Sequence, residues 1–253
     1  MPTESQLFTD LSRIIAETVA TSEHSELYHS PLVATVSASH PDFNRLKSQA
    51  TTEHLLPADL LPNAQTVLAF FLPFRQELTR QNRQQQVARS WASAYIDTNK
   101  LIQHICQQLH SYLLTNNIQS AWQKPTHNFD EKKLVAPWSH KSVAYIAGLG
   151  TFGLHQMLIT PAGSAGRFGS IVLDATLPDH RLVNSTDELC LHYRGKKCLY
   201  CVQKCPTGAL TEQGFNRSTC YAWLLQVDQQ FPDLALSDVC GKCLLGPCAH
   251  RIP

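Results

Sequence analysis

Eight of the nine cysteines in this 253-residue chain fall within its last 64 residues. No other feature limits so tightly what the chain can fold into. The centre of the pattern is Cys198-Leu-Tyr-Cys201-Val-Gln-Lys-Cys205-Pro206, with Cys190 before it and Cys220, Cys240, Cys243 and Cys248 after it. A C-x2-C loop points two soft thiolates at one centre from a single turn, and thiolates suit zinc and iron–sulfur clusters. The last three cysteines and the proline match the bacterial run C-x2-C-x2-C-x3-C-P, whose final cysteine serves the other of two clusters. Gly195 stands where the first cysteine of that run would be, and Cys190 can reach back if the intervening LHYRGKK forms a loop. Eight thiolates are what two [4Fe–4S] clusters need. A single zinc site built from the two C-x2-C pairs would leave four further cysteines without a role. A disulfide framework would require an oxidising compartment. Cys106 lies inside a helical pattern and reads as a small buried hydrophobe.

Charge narrows the alternatives. Lys and Arg number 21 against 20 Asp and Glu, so no basic patch favours nucleic acid and no field favours an anionic membrane. No apolar stretch is long enough for a membrane-spanning helix. The opening MPTESQLFTDLSRIIAETVA is broken by acidic and polar residues and does not read as a signal peptide. These absences lead to an expectation of a cytoplasmic protein. Hydrophobic residues at 43% allow a sizeable core.

Residues 1–185 alternate helical and strand-like signals, which predicts an α/β (α+β) domain. Leu7, Leu11, Ile14, Ile15 and Val19 recur at helical spacing, as do Ile96, Leu101, Ile105, Leu109 and Leu113. Gln65–Phe74 and Gly169–Leu177 read as buried strands, and Gln81–Gln86 as a solvated loop or helix start. Residues 186–253 lose that rhythm. The expected division is therefore 1–185 and 186–253, the second a small two-cluster ferredoxin-like domain.

Gly148-Leu-Gly150-Thr-Phe-Gly153 matches G-x-G-x-x-G and follows an apolar, strand-like run, with Asp174 about 20 residues on. The dinucleotide fingerprint needs a helix directly after the glycines, and Pro161 with Gly163 interrupts one. Two other readings stand: a tight turn between a helix and a strand, or a turn that lets backbone approach a bulky flat cofactor, with Gly169 across a short loop. On the last reading, a bulky side chain at Gly150 should block the ligand and spare the cysteines.

These residues resemble the epoxyqueuosine reductase family. The resemblance runs through AYIAGLGTFGLHQMLITPAGSAGRFGSIVLDATL and the cysteines, and more weakly back to TVLAFFLPF and ARSWASAYIDTNK. It implies a corrinoid-binding domain ahead of two [4Fe–4S] clusters, with electrons passing through the clusters to cobalamin. It implies one cluster on Cys190, Cys198, Cys201 and Cys248 and the other on Cys205, Cys220, Cys240 and Cys243. An electron donor of flavodoxin or ferredoxin type and a small-molecule or tRNA-borne substrate are the partners expected with it. The chain departs from the family in its C-x7-C and C-x4-C spacings. Leu134 and Val135 stand where the family's proton-donating aspartate would be. Candidates to replace it are His140, Asp130 and Tyr95. His140 suits neutral pH, although Ser139 reads as a helix N-cap that would put His140 in a first turn at the surface. Arg167 is a candidate for holding an anionic group. The expected function is an iron–sulfur reductase with its substrate unassigned; a non-catalytic electron carrier and a cluster-based sensor are the alternatives.

Overall fold

The layering of the molecule follows from β2 (Thr66–Pro73), whose run TVLAFFLP is buried at every residue. Successive side chains of a strand point to opposite faces, so a strand apolar at both parities must be covered on both. Leu68, Phe70 and Leu72 enter one apolar cluster, and Val67, Ala69 and Phe71 enter another. The computed structural model describes residues 2–49, 53–84, 86–125, 129–184 and 186–250. Within it β2 is an inner strand of a four-stranded sheet, ordered β1 (Leu32–Ser37), β2, β6 (Gly166–Leu173), β3 (Ser120–Ala121).

The expected mix of helices and strands is present, with one correction to the alternating α/β reading: every pair in this sheet is antiparallel. Two short helices, α2 (Asp42–Gln49) and α3 (Pro57–Leu60), lie between β1 and β2. They return the chain at the end where β1 stopped, so no parallel crossover forms.

One face of the sheet is covered by α1 (Glu4–Ala20) and the long α5 (Arg89–Thr115). Thr3 caps α1 by accepting from the Gln6 N–H, and Leu7, Leu11, Ile15 and Val19, four residues apart, form its buried stripe. The other face is covered by α6 (His140–Ile146), through Val143, Ala144 and Ile146. The apolar run ahead of the glycines is therefore a helix, not a strand. It turns at Gly148 into a hairpin of β4 (Thr151–Phe152) and β5 (Leu158–Ile159), which is the helix-to-strand turn.

α4 (Gln76–Gln84) takes in most of the polar run expected to be solvated; Gln85 lies outside the described residues. Its Asn82 is fully buried, because its amide donates to the Cys240 carbonyl (2.9 Å) and accepts from the Ala88 N–H (2.9 Å). Beyond residue 186 regular structure is sparse: α7 (Tyr200–Gln203), α8 (Arg217–Gln229) and a 3-10 turn at Lys242–Leu244. This segment nevertheless contributes Val227, Leu244 and Leu245 to the cluster that holds α1 and α5. Ser164 and Ala165 donate backbone hydrogen bonds to Cys248 and Ala249. Among the described residues no helix is long and apolar enough to cross a membrane.

Candidate metal centre

Eight thiols gather in the last segment, and none is joined in a disulfide. They form two neighbourhoods. Cys201 feels the charges of Cys248, Cys190 and Cys198, and these four line one small recess together with Leu154, His155 and Cys243. Cys220 feels Cys240 and Cys205, and Cys243 feels Cys240, Cys220, Cys201 and Cys205. Cys243 thus faces both groups.

Local structure explains the approach. α7 carries Cys201 in its short turn, and Cys205 follows the helix end, where the chain must leave at Pro206. Within Cys240-Gly-Lys-Cys243, Gly241 adopts φ 71°, a left-handed conformation that reverses the chain between the two thiols. A side chain there would also press on Trp91, 2.4 Å from an added Cβ.

Cys190, Cys201, Cys205, Cys243 and Cys248 pack with the apolar side chains of Leu154, Ile159, Leu199, Val202 and Leu210. Burial pushes Cys201 and Cys220 up to about 11 and raises Cys240, Cys243 and Cys248 as well. A cation bound here must displace protons, so loading and proton release are coupled. Cys205 goes the other way. Burial would raise it, but N–H groups of Leu210, Thr207 and Ala209 and the Thr207 hydroxyl hold it below the ordinary thiol value, with Leu210 N 3.4 Å from its sulfur. Among the described residues no three His, Cys, Asp or Glu side chains are close enough to chelate one metal ion.

The other candidates lie on the sheet and its flanks. His140 opens α6 behind its Ser139 cap, as its sequence suggests, but it is buried, not at the surface. Its Nδ1 meets the Ser170 hydroxyl at 2.8 Å, which also accepts from the Trp138 indole at 2.9 Å. Burial holds the imidazole down at about 4 and therefore neutral at pH 7. Asp130 is exposed and caps its own turn, accepting from the backbone of Lys133 and Lys132 through one oxygen; those bonds keep its pKa below the ordinary carboxylate value. Leu134 ends that turn at φ 54°. Tyr95 is pushed up to about 12, by burial first; its hydroxyl donates to Asp238 at 2.9 Å. The Arg167 guanidinium lies 4.2 Å over the Tyr95 ring, and its pKa is lowered by burial. His140 and Asp130 are therefore occupied in separate local networks, while Tyr95 and Arg167 are in contact.

The glycines meet protein. A Cβ at Gly150 would stand 2.1 Å from the Ile159 carbonyl oxygen, and one at Gly153 2.8 Å from the Ile159 side chain. One at Gly169 would stand 2.3 Å from the Phe70 ring, and one at Gly148 2.9 Å from Arg181, where φ is 79°. Two residues missed in the sequence now stand out. Asp238 accepts the hydrogen bond of the Tyr95 hydroxyl, and His155 Nε2 lies 3.5 Å from the Cys248 sulfur. Neither has a spacing to the cysteines that would mark it.

No protein-family profile matches the chain. The epoxyqueuosine reductase of Synechococcus sp. (strain RCC307) is 29% identical over 155 residues, 60% of this chain and 43% of that protein. A selenomethionine-labelled epoxyqueuosine reductase crystal structure superposes with a TM-score of 0.60 at 18% identity, covering 97% of this chain and 66% of the other. An epoxyqueuosine reductase bound to an epoxyqueuosine-modified tRNA-Tyr stem loop gives 0.61 at 18%, over 95% and 64%. The Streptococcus thermophilus epoxyqueuosine reductase gives 0.56 at 16%, over 93% and 64%. The chain thus spans under half of its curated relative and just under two thirds of the solved structures. The resemblance first read from the glycine-rich turn and the cysteines holds: in sequence and in fold, this chain is similar to the epoxyqueuosine reductases.

Proposed function

We propose that the chain is an iron–sulfur oxidoreductase related to epoxyqueuosine reductase, carrying two [4Fe–4S] clusters in a ferredoxin-like segment beyond residue 186. The observation that carries this is the division of eight thiols into two neighbourhoods of four. Cys190, Cys198, Cys201 and Cys248 hold one cluster, and Cys205, Cys220, Cys240 and Cys243 the other. When bound, such clusters supply one-electron transfer. Apolar side chains border the first group, and the N–H groups around Cys205 stabilise its thiolate. Cys243, facing both groups, keeps the two centres adjacent. The domain division at 1–185 and 186–253 and a cytoplasmic location belong to the same reading, as does an electron donor of flavodoxin or ferredoxin type.

The fit differs for a corrinoid. Gly148, Gly150, Gly153 and Gly169 are packed against protein atoms, which leaves no open cradle at the glycine-rich turn. A corrinoid needs another surface of the chain, and no step is assigned to it. This supports a second reading, a non-catalytic electron carrier. For proton handling, the Tyr95–Asp238 pair beside Arg167 suits the geometry better than His140 or Asp130, since the Tyr95 hydroxyl already donates to a carboxylate.

Anaerobically prepared protein should contain about eight irons and eight sulfides per chain. Stoichiometric zinc without iron would sink the reading. Cobalamin titration separates the two functions: no binding at tens of micromolar ligand favours the carrier. If binding occurs, an epoxyqueuosine-modified tRNA stem loop is the first substrate to assay, with Tyr95→Phe as the test of the proton-handling pair.

A further inference from the structure

The hairpin between β4 and β5 ends on a histidine that neither the glycine pattern nor the cysteine pattern accounts for. His155 is 5% exposed and lines the recess formed by Cys190, Cys198, Cys201 and Cys248. The Met157 N–H donates to its Nδ1 at 3.1 Å. That bond leaves Nδ1 as the acceptor, so the ring hydrogen sits on Nε2. Nε2 in turn lies 3.5 Å from the Cys248 sulfur.

The turn is built to hold this ring. The Gly153 N–H donates to the Met157 carbonyl at 3.0 Å, and the Gln156 N–H to the Gly153 carbonyl at 2.9 Å. Gln156 takes φ 61° to close the loop. A Cβ at Gly153 would come within 2.9 Å of the imidazole Cε1, so the bare glycine makes room for the ring. Cys248 has a second donor, the Ser164 hydroxyl at 3.7 Å. Ser164 is also anchored to the Cys248 carbonyl (3.0 Å from the hydroxyl), so its reach to the sulfur is the looser of the two.

We propose that His155 is a positioning residue for the cluster on Cys190, Cys198, Cys201 and Cys248, donating Nε2–H to the Cys248 thiolate and raising that cluster's reduction potential. This rests on the cluster reading above. Reduction adds one electron, and part of the added negative charge spreads onto the thiolate sulfurs. A directed N–H donor beside apolar side chains stabilises that charge more than the oxidised form needs. His155 Nε2 is hydrogen-bonded to Cys248 of the first group, so the second cluster, on Cys205, Cys220, Cys240 and Cys243, serves as the internal reference.

The test is a redox titration of the full chain followed by electron paramagnetic resonance, with iron and sulfide measured on the same samples. His155→Leu removes the donor, and His155→Gln keeps an N–H that can still reach the sulfur. With iron and sulfide at wild-type levels, one potential should fall in the leucine variant while the other stays put. The expected loss is about tenfold in the reduction equilibrium constant, about 59 mV for a one-electron couple. The glutamine variant should recover part of it, and if the leucine variant fails to fold, a smaller fall in the glutamine variant alone supports the inference. Full iron with both potentials unchanged overturns it. Loss of about four irons with His155→Leu overturns it in another way, by making His155 a ligand. Wild-type protein without iron overturns the proposed function itself, which is a separate outcome.

Discussion

At the scale of single residues, the proposed cluster assignment makes a sharp prediction. Cys198→Ser should damage one cluster, and Cys205→Ser and Cys220→Ser the other, each leaving about half the iron. Spectra in which the Cys198 and Cys205 variants lose the same cluster would refute the allocation. His140 makes a prediction of a different kind. Burial puts its folded pKa at about 4, below the ordinary 6.5, so as pH falls the unfolded chain takes up the proton first. The neutral histidine's contribution is therefore complete above about pH 6.5 and is lost as pH drops toward 4, by at most about 3 kcal/mol. His54, also lowered by burial, acts in the same direction. The melting temperature should fall across that window, and His140→Gln should flatten the slope. An equal slope in both proteins would mean that other groups dominate.

The glycine turn shows how an element changes the meaning of a motif. A side chain at Gly150 meets the Ile159 carbonyl, a backbone atom that cannot swing aside. Gly150→Val should accordingly disrupt the α6–β4–β5 unit, lower the melting temperature by several degrees and reduce iron content with it. The ligand-blocking view of that glycine expects iron to stay normal, so metal analysis of the variant distinguishes the two. In α5, Ile105 is fully buried between the sheet and α1. Ile105→Ala should cost about 2–5 kcal/mol, read as a shift in denaturant midpoint, while leaving the cysteine recess and its iron in place under native conditions.

For the whole molecule, the question is whether the cysteine segment is an appendage or part of the core. Val227, Leu244 and Leu245 enter the cluster of α1 and α5, and Asn82 and Arg83 of α4 donate to the carbonyls of Cys240 and Leu245. A chain cut after residue 185 would leave that face of α5 open and the buried Asn82 short of a partner. It should unfold at lower temperature and with lost cooperativity compared with the full chain, measured by circular dichroism. An unchanged, sharp transition would show that residues 1–185 fold alone.

Much of this was legible in the residues. The α1 and α5 stripes and the β2 run could be read because a helix or strand repeats its apolar positions at a fixed interval, and the grouping of the cysteines because a C-x2-C spacing brings two thiols to one turn. The strand-like reading ahead of Gly148 failed because a short apolar run has no period long enough to separate a buried helix turn from a buried strand. Asn82 read as solvated because nothing local announces the Cys240 carbonyl 158 residues away. His140 read as a surface first-turn residue because burial depends on the sheet that α6 packs against. The placing of His155 against Cys248, and of Tyr95 between Arg167 and Asp238, joins side chains from distant parts of the chain. Such meetings carry no local signal: they exist only once packing of the two apolar faces has brought those segments together.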